Sequence, residues 1–437
     1  MLSQIVFTVF LMAGIGMFAR KLSGIIRNIQ LGRPEMRADQ RGRRWRQMAR
    51  VALGQGRMLS RPVAGVFHIL IYAGFVLINL EVLEIVLDGI FGTHRLFKPI
   101  MGAFYGVVIG FFELLAVGVL LACVVFLWRR NVQRLGRFHK PELAGWPFLD
   151  ANLILLIEIV LMGAFLLMNI AEANLPERGG YVVSDRLAFL LGGVSAGGLH
   201  NIERISWWAH ILGILAFLNY LPYSKHFHIL MAFPNTWYAD LVPSGKIPVM
   251  ESVRKEVAMM LDPQADPFAA APEGAGAEGV PPGRFGAKDV TDLSWKSLMD
   301  AYSCTECGRC SSVCPANLTG KKLSPRSILM RTRDRLEDVG RLLDQGKEAG
   351  SDGKFLLGDY ISSEELRACT TCQACVEACP VLINPLTIIT ELRRYQSMEA
   401  GDQPGEWKSM YTNVENNGAP WQFPAADRLG WATTSQS

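Results

Sequence analysis

Eight cysteines hold most of the chemistry available to this sequence. Cys304, Cys307, Cys310 and Cys314 precede Pro315, and Cys369, Cys372, Cys375 and Cys379 precede Pro380, while Cys123 stands apart. Each group has the spacing C-x2-C-x2-C-x3-C-P. Three thiolates at intervals of three wrap a turn of chain around one iron–sulfur cube and point at three of its irons. The fourth begins a segment that leads away, so it reaches the neighbouring cube. The spacing therefore predicts two [4Fe–4S] clusters. One is held by Cys304, Cys307, Cys310 and Cys379, the other by Cys369, Cys372, Cys375 and Cys314. The competing reading is structural zinc, which paired C-x-x-C motifs also bind. A zinc site closes with four ligands, and a duplicated triplet with a fourth cysteine at this spacing is poorly explained by it. Proline after the last cysteine turns the chain and withholds a competing amide. Small and amide-rich surroundings (Gly308, Ser311, Ser312, Thr371, Ala374) suit close backbone approach to cluster sulfur. Cysteines this tightly grouped point to metal chemistry in a reducing compartment rather than to disulfides.

These motifs need a platform, and the composition supplies a membrane. Half of the 437 residues are hydrophobic and mean hydropathy is positive, at +0.20, which a soluble domain of this size seldom shows. Five stretches, 2–19, 66–90, 101–128, 153–173 and 205–221, match the roughly 20 apolar residues that cross a bilayer as helix. The alternative, buried helices of a soluble bundle, rarely runs this long. Arg41, Arg43, Arg44 and Arg46 lie in the first long loop, and Arg129, Arg130, Arg134, Arg137 and Lys140 follow the third span. Positive loops stay in the cytoplasm. The N-terminus is thus expected outside the inner (cytoplasmic) membrane, with everything after Lys225 in the cytoplasm. A nucleic-acid role for the basic run is the weaker account, because the run sits between two spans. The apolar start lacks a basic leader and a small-residue cleavage site, and reads as a retained anchor.

The expected domains are a membrane bundle over 1–232, an interfacial segment and flexible linker over 233–286, a cysteine domain over 287–400 and a tail over 401–437. The linker is rich in Ala, Gly and Pro from 263 onward. The tail carries Trp407, Trp421 and Trp431 and is expected to pack on the domain or on a partner.

Ionisable groups inside lipid usually mark function. His68 and His228 are expected at the same cytoplasmic depth on antiparallel spans, and pair as axial ligands of an inner haem b. His210 lies 18 positions before His228, about 27 Å of helix, and is placed near the outer face. Its partner there would be His94, with His200 second. Each histidine can instead be a hydrogen-bonded helix contact. Glu81 and Glu84, near the outer face, can exchange protons with a quinone or pair with an arginine.

At these residues the chain resembles known families. Trp208-Ala209-His210, the run Pro222 to His228 and the segment Phe67-His68-Ile69 resemble the cytochrome b subunit of respiratory nitrate reductase, whose last helix has the same 18-residue histidine spacing. That family has a second histidine ten residues after the first, where this sequence has Ile78. The C-terminal half resembles iron–sulfur subunits of heterodisulfide reductase, including the tail run Asn417 to Trp421 with Arg428 and Trp431. The resemblance implies an all-α membrane bundle of five transmembrane helices, followed by a mainly α-helical, ferredoxin-like dicluster domain. It implies electron transfer between menaquinone or another quinone, one or two haems b, two clusters and a cytoplasmic redox subunit. That partner would be a protein with cysteine-rich CCG domains, as in heterodisulfide reductase, or an electron-transfer flavoprotein. No cysteine follows Cys379, so such a catalytic domain is expected on a separate subunit. The alternative function is a haem-free membrane ferredoxin serving assembly or maturation of another redox enzyme, or redox sensing.

Overall fold

Among the described residues, five helices are long and apolar enough to cross a membrane. They are α1 (Leu2–Gln30), α2 (Pro62–Phe91), α3 (Phe104–Asn131), α4 (Trp146–Ala173) and α5 (Ala196–Tyr220). Local chemistry sets their ends. Pro62 opens α2, where its missing N–H is no loss. Gly92 closes that helix with φ +70, a left-handed conformation that glycine adopts without strain. Ser195 caps α5 by accepting from the Gly198 N–H. Neighbours in sequence pack as neighbours in space from α2 to α5, and α1 lies against α2 and α5. The computed structural model describes residues 1–175, 181–242, 245–262 and 284–434.

Beyond the spans come α6 (His228–Trp237), α7 (Trp295–Ser303), α8 (Pro325–Asp344), α9 (Pro385–Met398) and α10 (Gly405–Asn417). Serines 294 and 324 and Asn384 cap α7, α8 and α9, the last two with proline following at the first helical position. No strand occurs among the described residues.

Several expected boundaries move. The first span does not stop near residue 19. α1 continues to Gln30, because its polar last turns are buried against the cysteine domain rather than in lipid. Its Ile25 and Ile29 share a core with Leu293, Leu298 and Leu336. The last span begins at Ala196 rather than 205, since the capped helix tolerates His200, Glu203 and Arg204 at its start. His210 consequently lies near the middle of α5, not near its outer end. The stretch from His210 to His228 is also not one helix. α5 stops at Tyr220, and short 3-10 turns at Leu221–Tyr223 and Lys225–Phe227 lead into α6, so the 27 Å helical rise does not apply. The boundary expected at 232 falls inside α6, whose Met231 belongs to the core of the cysteine domain. Most of the expected linker, 263–283, lies outside the described residues. In the tail, α10 buries none of its residues and leaves Trp407, Met410, Tyr411 and Val414 exposed.

At the end of the bundle away from the cysteine domain, Arg95 is buried and bonds Glu81 at 3.1 Å, Glu172 at 2.9 Å and Asn169 at 2.7 Å. Tyr105 donates to Glu84 at 2.7 Å, and Glu84 also accepts from the Phe97 N–H at 2.8 Å. Removing one member of a buried ion pair strands its partners at a cost of about 3–5 kcal/mol. Arg95→Ala is therefore expected to destabilise the detergent-solubilised chain by about that amount, read as a fall in thermal unfolding temperature. Thr93→Ala, which removes one peripheral hydrogen bond to Asp88, is the mild control.

Candidate iron–sulfur and haem site

The two cysteine loops are built alike. Glu306 and Thr371, each two residues past the first cysteine of its motif, adopt φ of +55 and +54, and Gly308 and Gln373, each following the second cysteine, adopt +73 and +63. These left-handed residues curl the loop so that its amides turn inward. The Glu306 N–H donates to Cys304 Sγ and the Thr371 N–H to Cys369 Sγ, both at 3.4 Å, and the Ile383 N–H donates to Cys379 Sγ at 3.3 Å. Cys304, Cys307, Cys310 and Cys379 line one recess, which Cys375 also touches. Cys314, Cys369, Cys372 and Cys375 line a second. Each triplet thus meets the fourth cysteine of the other motif. All nine cysteines are free thiols. Among the described residues, no three His, Cys, Asp or Glu side chains converge closely enough for a single metal ion, as thiolates at about 2.3 Å from one zinc would have to. The two sets of thiols line separate recesses. Cys314 precedes a short helix starting at Pro315, whereas Cys379 ends one and leads into a loop before α9.

The first recess faces the membrane bundle. Arg309, which lines it, donates to the Arg57 carbonyl and to Ser60 Oγ, both at 3.1 Å, just before α2 begins. Arg61 donates to Ser312 Oγ at 2.7 Å, and Arg57 to the carbonyls of Glu377 at 3.0 Å and Cys379 at 3.3 Å. Glu306, buried between Cys304 and Cys307, bonds Arg333 at 2.6 Å and Lys225 at 2.7 Å. Burial opposes its charge, but Arg333 and Lys225 hold the carboxyl below its usual range. The first of the basic segments read above as topology signals grips the end of α6 and the residues after it, and the second is held by an arginine of the cysteine domain. Arg37, Arg43 and Arg44 bond carbonyls from Trp237 to Leu241, and Arg326 joins Glu142 at 2.6 Å and the Arg137 carbonyl at 2.8 Å. Sequence reasoning missed Glu306, Arg309 and Arg326. Their only local signal is the placement of Glu306 and Arg309 between consecutive cysteines.

The histidines separate into two places. His68, in the second turn of α2, and His228, at the start of α6, have ring centroids 6.3 Å apart at 43°. His228 Nδ1 donates to the Lys225 carbonyl at 3.1 Å, while His68 Nδ1 is buried without a partner among the described residues. His226 stands 5.4 Å from His228. His210 is buried, and its Nδ1 donates to the Leu161 carbonyl at 2.9 Å. The structure does not bring His94 to it. His94 follows the end of α2, whereas α2 meets the cavity of His210 around Ile78, 13 residues and about 20 Å of helix before Phe91. His94 is 51 % exposed and lies 3.6 Å from Glu172. His200 is exposed on the first turns of α5. Glu81 and Glu84 are enclosed in the Arg95 and Tyr105 network described above.

Fold and motifs together define a membrane-anchored protein with an iron–sulfur domain. Residues 303–383 match the family of 4Fe-4S dicluster domains. Over 407 residues, 86 % of this chain and 53 % of the relative, the chain is 26 % identical to a probable iron-sulfur-binding oxidoreductase, FadF, of Bacillus subtilis. It is 28 % identical over 413 residues to an EtfAB:quinone oxidoreductase of Syntrophomonas wolfei, covering 87 % of this chain and 52 % of that one. A probable membrane-anchored ferredoxin of Chromohalobacter salexigens is 28 % identical over 172 residues, 34 % of this chain and 24 % of the relative. The chain thus spans about half the length of the first two relatives. No solved structure matches it.

Gly308 tests the loop geometry. A Cβ there would come within 2.5 Å of Arg326 Nη1, a side chain already pinned by Glu142. Gly308→Ala is expected to cost about 1–2 kcal/mol of stability from the left-handed backbone alone and to lower bound iron. Gln373→Gly, at the equivalent place in the second motif, is expected to retain full iron content by colorimetric assay.

Proposed function

We propose that this chain is a membrane-bound electron-transfer subunit linking the quinone pool, haem b, two [4Fe–4S] clusters and a cytoplasmic redox partner. The observation that carries the reading is the placement of His68 and His228. They face each other beneath the cysteine recess, on helices whose preceding turns bond the cysteine loops directly.

The residues fit a haem. His68 and His228 would hold it, with ring centroids 6.3 Å apart, and imidazoles are usual haem ligands. The His228 N–H to a backbone carbonyl is the outer bond that ligand histidines usually make, while the Nδ1 of His68 has no partner among the described residues. Haem held there would supply one-electron exchange within the membrane. Cys304, Cys307, Cys310 and Cys379 would hold the cluster nearer the bundle, and Cys369, Cys372, Cys375 and Cys314 the outer one. Amide donors to Cys304, Cys369 and Cys379 stabilise the charged thiolates and favour higher potentials. Arg309 and Arg61 fix the loop of the first motif to the turn before α2, so the spacing between the imidazoles and that recess does not depend on the linker. Cys372 is exposed, which offers the second site to a partner.

The positive loops support a cytoplasmic cysteine domain and an outward N-terminus. A cytoplasmic partner of the electron-transfer flavoprotein type accords with the name of the Syntrophomonas wolfei relative. One of the CCG-domain type accords with the resemblance of the C-terminal half to iron–sulfur subunits of heterodisulfide reductase.

Purified membranes containing the chain are expected to show a reduced b-type absorption band that disappears in His68→Ala and in His228→Ala, with iron retained at about eight atoms per chain. Unchanged spectra in those variants would defeat the haem assignment. Zinc in place of iron would defeat the cluster assignment.

A further inference from the structure

Midway through the bundle, a cavity lies between α2, α3, α4 and α5. Its volume is about 70 Å³, and part of it is open at the surface. Its lining is apolar except for His210, Glu158 and Asn79. A carbonyl oxygen can only accept, so the bond from His210 to Leu161 places the hydrogen on Nδ1 and leaves Nε2 as an acceptor. Glu158 is buried near the middle of α4, and its carboxyl makes no hydrogen bond among the described residues. A carboxyl so placed contrasts with Glu81, Glu84 and Glu113, each of which is bonded. Ionisable groups at this depth usually mark a ligand or proton path. Ile78 faces the cavity where the cytochrome b resemblance puts a second imidazole, and no other histidine lines it among the described residues. Phe75 and Asn79 are both exposed on the outward face of the bundle, so the opening is toward the bilayer.

We infer that this cavity binds the ring of a quinone, in place of a second haem, with His210 Nε2 and the Glu158 carboxyl as polar partners of the two ring oxygens. The inference rests on the quinone-linked reading above and names its site. A quinone is a flat apolar ring with an oxygen at each end and an apolar tail, which suits a slot with two polar groups and a mouth in lipid. Oxidation of the quinol would release two electrons, which the clusters would accept one at a time, and two protons, one taken by His210 Nε2 and one by the Glu158 carboxylate. Glu158 in its acid form donates to a carbonyl oxygen, and His210 Nε2 accepts from a quinol hydroxyl. The site is near the His68 pair. Ile71 to Ile78 follow His68 on α2 by three to ten residues, about 5–15 Å of helix. On the other side, Phe217 lines the cavity and stands 5.4 Å from His226, which stands 5.4 Å from His228.

The test uses the purified full chain in detergent, titrated with 2,3-dimethyl-1,4-naphthoquinone and followed by quenching of tryptophan fluorescence. Trp207 and Trp208 precede His210 on α5. Saturable quenching is expected, with Kd for the quinone raised about tenfold in Glu158→Leu and Kd for the dithionite-reduced quinol raised about tenfold in His210→Leu, the loss of one buried hydrogen bond in each. In Ile78→Trp, which fills the slot without touching either polar group, saturable quenching should vanish. Iron content and the His68-dependent absorption band should be unchanged in all three, which also reports folding. Unaltered binding in Glu158→Leu and Ile78→Trp would overturn the proposal, as would loss of part of the b-type band in His210→Leu. If instead the unmodified protein lacks iron or the band, the electron-transfer reading fails while the quinone titration still decides the pocket.

Discussion

Cations gripping main-chain carbonyls across the junction between membrane and cysteine domain are the interaction on which the rest depends. Arg57, Arg309 and Arg326 each bond backbone oxygens on the far side of that junction. Glu306 sits among them, buried between two cysteines and neutralised by Lys225 from the turn after α5 and Arg333 from α8. Such contacts are directional and desolvated, so they fix register as well as contributing energy. They extend the bundle into the domain rather than tethering one to the other. Asn28 of α1 donates to Tyr302 at 3.1 Å, and the Arg33 N–H donates to the Leu293 carbonyl at 2.7 Å. A path for electrons needs centres at fixed separation, and a junction of this kind supplies one.

Within lipid the bundle treats polar side chains in two ways. Around Arg95 the carboxylates, tyrosines and Asn169 bond one another, with Glu81 Oε2 left without a partner among the described residues, and Glu113 accepts from the N–H groups of Val182 and Val183, both at 2.8 Å. That arrangement ties the loops to the helix ends and is structural. Half a membrane away, Glu158 and His210 face a cavity with much of their hydrogen-bonding capacity unused. The same residue types therefore take opposite meanings according to whether their neighbours complete them.

The sequence by itself determined the cysteine loops, because a C-x2-C-x2-C-x3-C spacing is a local geometry that few backbone paths satisfy. It determined the five spans as well, since lipid leaves an apolar stretch no option but helix. It placed His68 near His228, whose positions beside the same membrane face follow from counting helices. The tertiary structure decided everything that turned on a partner distant in the chain. Hydropathy lost α1 at residue 19 because the polar turns beyond it are buried by another domain. Glu81 and Glu84 are bonded by Arg95 and Tyr105, and His210 was left facing Ile78 and Glu158 rather than His94. The spacing of residues along one segment carries no information about which side chain of another segment will stand opposite, and in this protein that opposing side chain separates a structural polar group from a candidate functional one.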